Sequence, residues 1–251
     1  MLIYGFDVET IPNRSLPASC IPVFDPESIK YGNTKDPVKR AEKEQDERKK
    51  FDDGLVKKMS VDPALCQTVT FVGIKYDTEA HEVVDEDIMQ LYEDDEDDDL
   101  EIIETAWEGI QSAYRSRIPV VTFNGMNFDL QVLLFRAMLQ DVPIDRYMFN
   151  RLIMRYSNQY HYDLKQILAN WDKNKYTNQE FYWKLFRLGD KSEFDGSMVN
   201  EAYKVGEFDR ILTYCRAEVL TMCELFARIE PWIKIAFEGA EEKDIDKQLT
   251  M

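Results

Sequence analysis

Tyr4-Gly5-Phe6-Asp7-Val8-Glu9-Thr10 is a short apolar run that carries two carboxylates separated by one residue. On a strand, side chains two apart point to the same face, so Asp7 and Glu9 stand side by side. Two like charges at that spacing raise each other's pKa and oppose folding unless a cation joins them. Hard oxygen ligands suit Mg²⁺ or Mn²⁺, which makes the stretch half of a candidate metal site. An edge strand with two solvated acids is the alternative that this stretch alone leaves open.

Working outward, residues 1 to 9 read as the first strand, which stops at Pro12. Pro17, Pro22, Pro26 and Pro37 then break the pattern, and Asp36 to Lys58 is a charged, helix-prone run with Pro37 suited to a helix start. Residues 16 to 65 therefore read as an insertion projecting from the core. Thr68 to Tyr76 is the clearest strand; Ala80 to Val84 is its expected hairpin partner, and the pair is expected to join the first strand. Ile102, Ile103, Ala106, Trp107 and Ile110 give helical spacing over Glu101 to Arg115, and Ile118 to Phe123 is a compact apolar strand. Asn127 to Leu139 reads as a helix that buries Leu130, Leu133, Leu134, Ala137 and Met138. The order β-β-β-α-β-α, followed by helices, predicts an α/β fold with a mixed sheet flanked by helices. One domain over 1–237 is expected, with 238–251 as a charged flexible tail.

A second informative stretch is Thr122-Phe123-Asn124-Gly125-Met126-Asn127-Phe128-Asp129, where a strand meets a helix. Such junctions lie at the edge of an α/β sheet, where ligands commonly bind. Asp129 faces the crevice of Asp7 and Glu9 if the two strands are neighbours; a carboxylate favoured by its helix N-terminus is the alternative. The third stretch is Tyr214-Cys215-Arg216-Ala217-Glu218, in a helix expected to run to about Arg228. Tyr214 and Glu218 are four apart and share a face, with Val219, Cys223 and Phe226 as a core stripe. Asp163 is either a fifth acid near the site or the N-cap of a helix over Leu164 to Trp171, and Ser197 is read as a cap in the same way.

The composition, with 44% hydrophobic residues in 251, allows one substantial core. No apolar run approaches a membrane span, and the first residues do not read as a secretory signal, so a cytoplasmic chain with no membrane partner is expected. Cys20, Cys66, Cys215 and Cys223 lack Cys-x-x-Cys spacing, so reduced and mostly buried thiols are expected. The net charge of −17 argues against nucleic acid, but its distribution qualifies this. Eight acids lie in 93–101, read as a solvated loop, while 146–175 has six Lys or Arg against two acids. Tyr147, Phe149, Tyr156, Tyr160, Tyr162 and Trp171 are interleaved there, a pattern that can hold a single strand by phosphate contact and base stacking. A core strand and helix with ordinary surface lysines is the other reading. The stretch from Lys30 to Lys58 has ten basic and seven acidic residues and could reach over nucleic acid or simply be a solvated helix.

Taken together, Asp-x-Glu on the first strand, Asn-x₃-Phe-Asp in the middle and Tyr-x₃-acid near the end resemble the three motifs of the DEDD, or DnaQ-like, 3′-to-5′ exonucleases. More narrowly, the chain is similar to stand-alone exonucleases related to the exonuclease domain of family B DNA polymerases. Gly32-Asn33-Thr34-Lys35-Asp36-Pro37, His161-Tyr162-Asp163-Leu164 and Asp195-Gly196-Ser197 support that likeness. Tyr214 fits the tyrosine subclass, while Thr213 stands where the histidine subclass has His. Glu218 stands where the family normally has Asp, a departure that implies weak activity or altered metal preference.

The resemblance implies a ribonuclease H-like fold and two cations, Mg²⁺ or Mn²⁺, about 3.5 to 4 Å apart. It assigns Asp7, Glu9 and Glu218 to the metal holding the attacking water, with Asp7 bridging to the second and Asp129 completing the site. Tyr214 would orient that water, Asn124 and Phe128 would position the terminal nucleotide, and the backbone of Thr10 and Ile11 would pack against it. The implied partner is nucleic acid, a DNA 3′ end in preference to RNA, with a replication or repair protein as a further candidate. An exoribonuclease, and a silent module that binds nucleic acid or protein, are the alternatives on the same fold.

Overall fold

The computed structural model describes residues 1–92, 99–157, 159–175, 177–189 and 193–248, with side chains through Ile233. Strand β1 (Leu2–Pro12) lies at the centre of a five-stranded mixed sheet ordered β3-β2-β1-β4-β5. Strands β2 (Cys66–Asp77) and β3 (Glu82–Gln90) form the expected hairpin, and β2 runs antiparallel to β1. Strand β4 (Val120–Thr122) runs parallel to β1 on its other side, followed by β5 (His161–Asp163), a strand beyond the four assigned in the sequence reading. β3 begins later and runs longer than Ala80 to Val84 because Asp77 accepts hydrogen bonds from the backbone N–H of Glu79 and Ala80, and that turn consumes those residues.

The insertion folds as one long helix, α1 (Pro37–Ser60). Asp36 caps it by accepting from Val38 N–H, Pro37 occupies the first turn, and Met59 is its one buried residue. Most of α1 is thus stabilised by local structure rather than by a core contact. Helices α2 (Leu100–Arg115), α3 (Asp129–Leu139), α4 (Arg146–Leu152), α5 (Leu164–Leu168), α6 (Gln179–Phe186), α7 (Val199–Lys204) and α8 (Phe208–Gln248) complete the chain.

The sheet separates two cores. On one face Tyr4, Phe6 and Val8 pack with Ile103, Trp107 and Ile110 of α2 and Leu130 and Leu133 of α3. On the other, Ile3, Val72 and Ile74 meet Val219, Cys223 and Phe226 of α8. Alternation along β1 directs Gly5, Asp7 and Glu9 to the face of Ile3, the side covered by α8.

Three expectations are corrected. Asp99, read as part of a solvated acidic loop, is fully buried and ion-paired with Arg136, 2.5 Å from Nη2 to Oδ1; residues 93–98 of that run lie outside the described residues. Asp99 also accepts from the backbone N–H of Thr68 at 2.8 Å, so it joins the start of β2 to the end of α3. The ion pair with Asp99 draws Arg136 inward and turns α3 so that Val132 and Arg136 are buried, while Met138, expected inside, is exposed and Leu134 is half-buried. Helix α8 continues to Gln248, well past Arg228, and so takes in 238–248 of the expected tail; residues 249–251 and the side chains from residue 234 lie outside the described residues.

Candidate active site

The parallel pairing of Tyr4 with Val120 and Gly5 with Val121 brings the C-terminal ends of β1 and β4 to one edge of the sheet. Asp7 and Glu9 stand on the first, and the turn that launches α3 follows the second. Asp129 is 3% exposed and its Oδ1 accepts from Val8 N–H at 3.3 Å, which ties α3 directly to β1 between the two acids. The register of β1 on β2 shifts between Glu9 and Thr10, an irregularity of the kind that re-aims side chains beside functional sites.

The turn before α3 is set by Asp163. Its carboxylate accepts from the backbone N–H of Asn124 at 3.0 Å and of Met126 at 3.1 Å. The same side chain caps α5 through Gln166 N–H, so the capping reading holds and is extended by two bonds that fix the neighbouring turn. Asn124 adopts φ 76°, a left-handed conformation that Asn tolerates, and its carbonyl accepts from Asn127 and Phe128. Behind the turn, buried His161 donates from Nδ1 to Leu152 O at 2.7 Å, leaving Nε2 to accept from the Thr122 hydroxyl at 2.7 Å. Burial holds that imidazole below its ordinary pKa, which favours the neutral ring with Nε2 as acceptor.

Helix α8 supplies the third side. Gly5 lets it approach: a Cβ there would meet Cys223, Met222 and Val219. The resulting close packing sets Cys215 Sγ 3.8 Å from Asp7 Oδ2. Tyr214 and Glu218, half-buried one turn apart, are joined by a hydrogen bond from the phenol to the carboxylate. Arg216, on another face of α8, holds Glu86 of β3 at 2.6 Å and anchors the helix across the sheet.

The electrostatics follow from this crowding. Burial, followed by the charges of Asp129, Glu9 and Glu218, raises Asp7 well above the ordinary carboxyl range. Burial, followed by Glu218 and Asp129, does the same to Glu9. Burial pushes Asp129 up to about 7, against the lowering effect of its hydrogen bonds. Glu218 is raised by burial and partly relieved by the Tyr214 hydroxyl; burial and the Glu218 charge keep that phenol protonated.

Among the described residues, no Lys or Arg forms an ion pair with any of these four acids. Buried carboxylates without a counter-charge are costly unless they are protonated or ligate a metal. One ligand atom each from Asp7, Glu9 and Cys215 lies within 4.8 Å of the others. Burial and the surrounding acids keep the Cys215 thiol strongly protonated, so the donors on offer are oxygens. That set fits a hard divalent cation.

Of the expected nucleotide contacts, Phe128 is half-buried against the core and Asn124 lies at the head of α3. Thr10 donates its hydroxyl to Ser60 O at 2.5 Å, and Thr10 and Ile11 are both buried and paired with Thr68 and Gln67 of β2. Cys215 was missed as a neighbour of Asp7, although its place four residues before Val219 on the core stripe was the signal that could have found it.

A family model described as a predicted 3′-5′ exonuclease related to the exonuclease domain of PolB matches residues 61–249. The match begins after α1 and includes both Asp129 and Glu218. A search of curated proteins found none that matches. Among solved structures, the family B DNA polymerase from the hyperthermophilic archaeon Pyrobaculum calidifontis aligns with a TM-score of 0.59 at 17% identity. That alignment covers 93% of this chain and 25% of the polymerase chain, and it shows the ribonuclease H-like fold. The chain belongs to the family described as predicted 3′-5′ exonucleases related to the exonuclease domain of PolB.

Proposed function

We propose that this protein is a metal-dependent exonuclease of the tyrosine subclass that removes nucleotides from the 3′ ends of single-stranded DNA in replication, repair or processing. One observation carries the reading: carboxylates from β1, α3 and α8, with Glu9 and Asp129 buried and Asp7 and Glu218 half-buried, converge with no ion-paired Lys or Arg among the described residues. Asp7, Glu9, Asp129 and Glu218 would hold two ions, Mg²⁺ or Mn²⁺. When bound, such ions supply the positive charge that activates water and stabilises the departing 3′ oxygen.

The chain's own residues do the rest. Tyr214, protonated and hydrogen-bonded to Glu218, orients the attacking water with its hydroxyl. Asn124 and Phe128, fixed by the bonds from Asp163, position the terminal nucleotide, and the backbone at Thr10 and Ile11 borders its sugar. The domain is read as 1–237 with 16–65 inserted. An acidic chain of net charge −17 would gain DNA affinity from a replication or repair partner.

The substrate is tested with 5′-labelled DNA and RNA of the same sequence, each with Mg²⁺, Mn²⁺ or EDTA. DNA should shorten from its 3′ end faster than RNA, and only with metal. Faster loss of RNA would make the chain an exoribonuclease. A ladder from Glu218→Asp but none from the wild type would mean that the longer side chain has silenced the site.

A further inference from the structure

A cavity of about 360 Å³ opens beside the turn that carries Asn124 to Asp129. Its size falls in the range of small-ligand sites, about 300–1,000 Å³. Met126 and Asn127 of that turn form one wall, while Arg155, Tyr156, Trp171 and Lys173 form another. The sequence scatters these basic and aromatic residues over almost twenty positions, and the fold gathers them at one opening.

Three features set this wall apart from ordinary core. The rings of Tyr156 and Trp171 lie 4.9 Å apart at 47°, a tilted pair, yet Tyr156 is 72% exposed. Both residues have left-handed backbones, φ 63° and 60°, and Asn170 beside Trp171 has φ 50°. Bulky side chains seldom adopt that conformation, and such outliers cluster at ligand sites. Finally, Arg155 and Lys173 are exposed and, among the described residues, neither is ion-paired, so both charges face the opening in a chain that is otherwise strongly acidic.

We propose that this cavity is a stacking subsite for an unpaired nucleotide of the substrate strand, upstream of the 3′ nucleotide being removed. The base lies against Tyr156 and Trp171, and its phosphate sits near Arg155 and Lys173. Stacking on aromatics with phosphate contact by nearby cations is how single strands are held without sequence preference. The wall that contains Met126 and Asn127 belongs to the turn fixed by Asp163, so a strand held here is kept in register with the carboxylates. The inference rests on the nuclease reading and names where its substrate strand is gripped.

The test is binding in EDTA, where no hydrolysis occurs, of a fluorescent twelve-nucleotide oligothymidylate to the full chain. Trp171→Ala and Tyr156→Ala should each weaken binding by about 5- to 150-fold. Trp171→Phe should restore most of the loss, which a merely misfolded variant would not allow. Strands carrying a single 5-iodouracil should crosslink from an internal position to the peptides containing Tyr156 or Trp171. Binding of both alanine variants within twofold of wild type, or crosslinks only to other peptides, would overturn the subsite. Shortening of the same strand by wild type in Mg²⁺ reports separately on the nuclease reading. If it occurs while the alanine variants bind normally, only the subsite falls; if wild type neither binds nor shortens the strand, both fall.

Discussion

Replacing Asp129 by Asn should stabilise the metal-free protein at neutral pH even as it destroys a ligand. Asp129 is 3% exposed, and its carboxyl is raised from 3.8 to about 7 in the folded chain. A group raised in this way contributes stability that is fully present below its unfolded value near 3.8. The contribution is lost as the pH rises through about 7, because the folded state must then give up a proton it holds tightly. At 1.36 kcal/mol for each pH unit, the loss is about 4 kcal/mol. Asn stays neutral and keeps an oxygen for Val8 N–H, so it avoids that loss. In EDTA, the stability of Asp129→Asn minus that of wild type should climb between pH 4 and pH 7 and level off above. For a chain of this size that is roughly 8–16 °C in melting temperature by circular dichroism. Taking the difference at each pH cancels buried His161, whose lowered pKa costs stability as the pH falls below 6.5 in both proteins. With millimolar Mn²⁺ the order should reverse, because the cation now offsets the charge in wild type. Equal stability of the two proteins at pH 8 in EDTA, or a difference that does not change with pH, would refute the reasoning.

Three further substitutions probe the supports of the site. Arg136→Ala leaves Asp99 buried and unpaired and should cost about 3–5 kcal/mol in urea denaturation; a loss below 1 kcal/mol would deny the pair its role in seating α3. Gly5→Val forces Cys223 and Met222 away and moves α8 off β1. It should cost about 1–3 kcal/mol and lower the turnover number by about a hundredfold, and normal turnover would show that the position of Glu218 tolerates that shift. Tyr214→Phe keeps the ring against Phe194 but removes the hydroxyl. It should leave the melting temperature within a few degrees while cutting turnover by about a hundredfold or more, and unaltered turnover would remove Tyr214 from the reaction.

How far the sequence could be read depended on whether the signal was local. Asp7 and Glu9 announced themselves by alternation, because a strand's period forces neighbours two apart onto one face. The core stripe Val219, Cys223 and Phe226 was equally plain, and all three are fully buried. Strand β5 and helix α4 were missed because three residues of strand and seven of helix are too short to show a period. The Asp99–Arg136 pair was illegible for a different reason. Its partners are 37 residues apart, and an acid at the end of an acidic run looks solvated until the fold supplies its counter-charge. Cys215 against Asp7 is the same kind of contact, 208 residues distant in sequence, and it depends on the space that Gly5 leaves for α8.

The most direct measurement is digestion of a 5′-labelled single-stranded DNA by wild type and Asp7→Asn, each with Mg²⁺ and with EDTA, alongside circular dichroism of both proteins. Asp7 lies at the meeting point of the other three acids, and Asn preserves its shape without its charge. The carboxylate cluster as a metal-dependent nuclease centre predicts a ladder shortening from the 3′ end for wild type in Mg²⁺ alone, and none for the folded variant. A ladder from Asp7→Asn equal to that of wild type, or one from wild type that persists in EDTA, would contradict it.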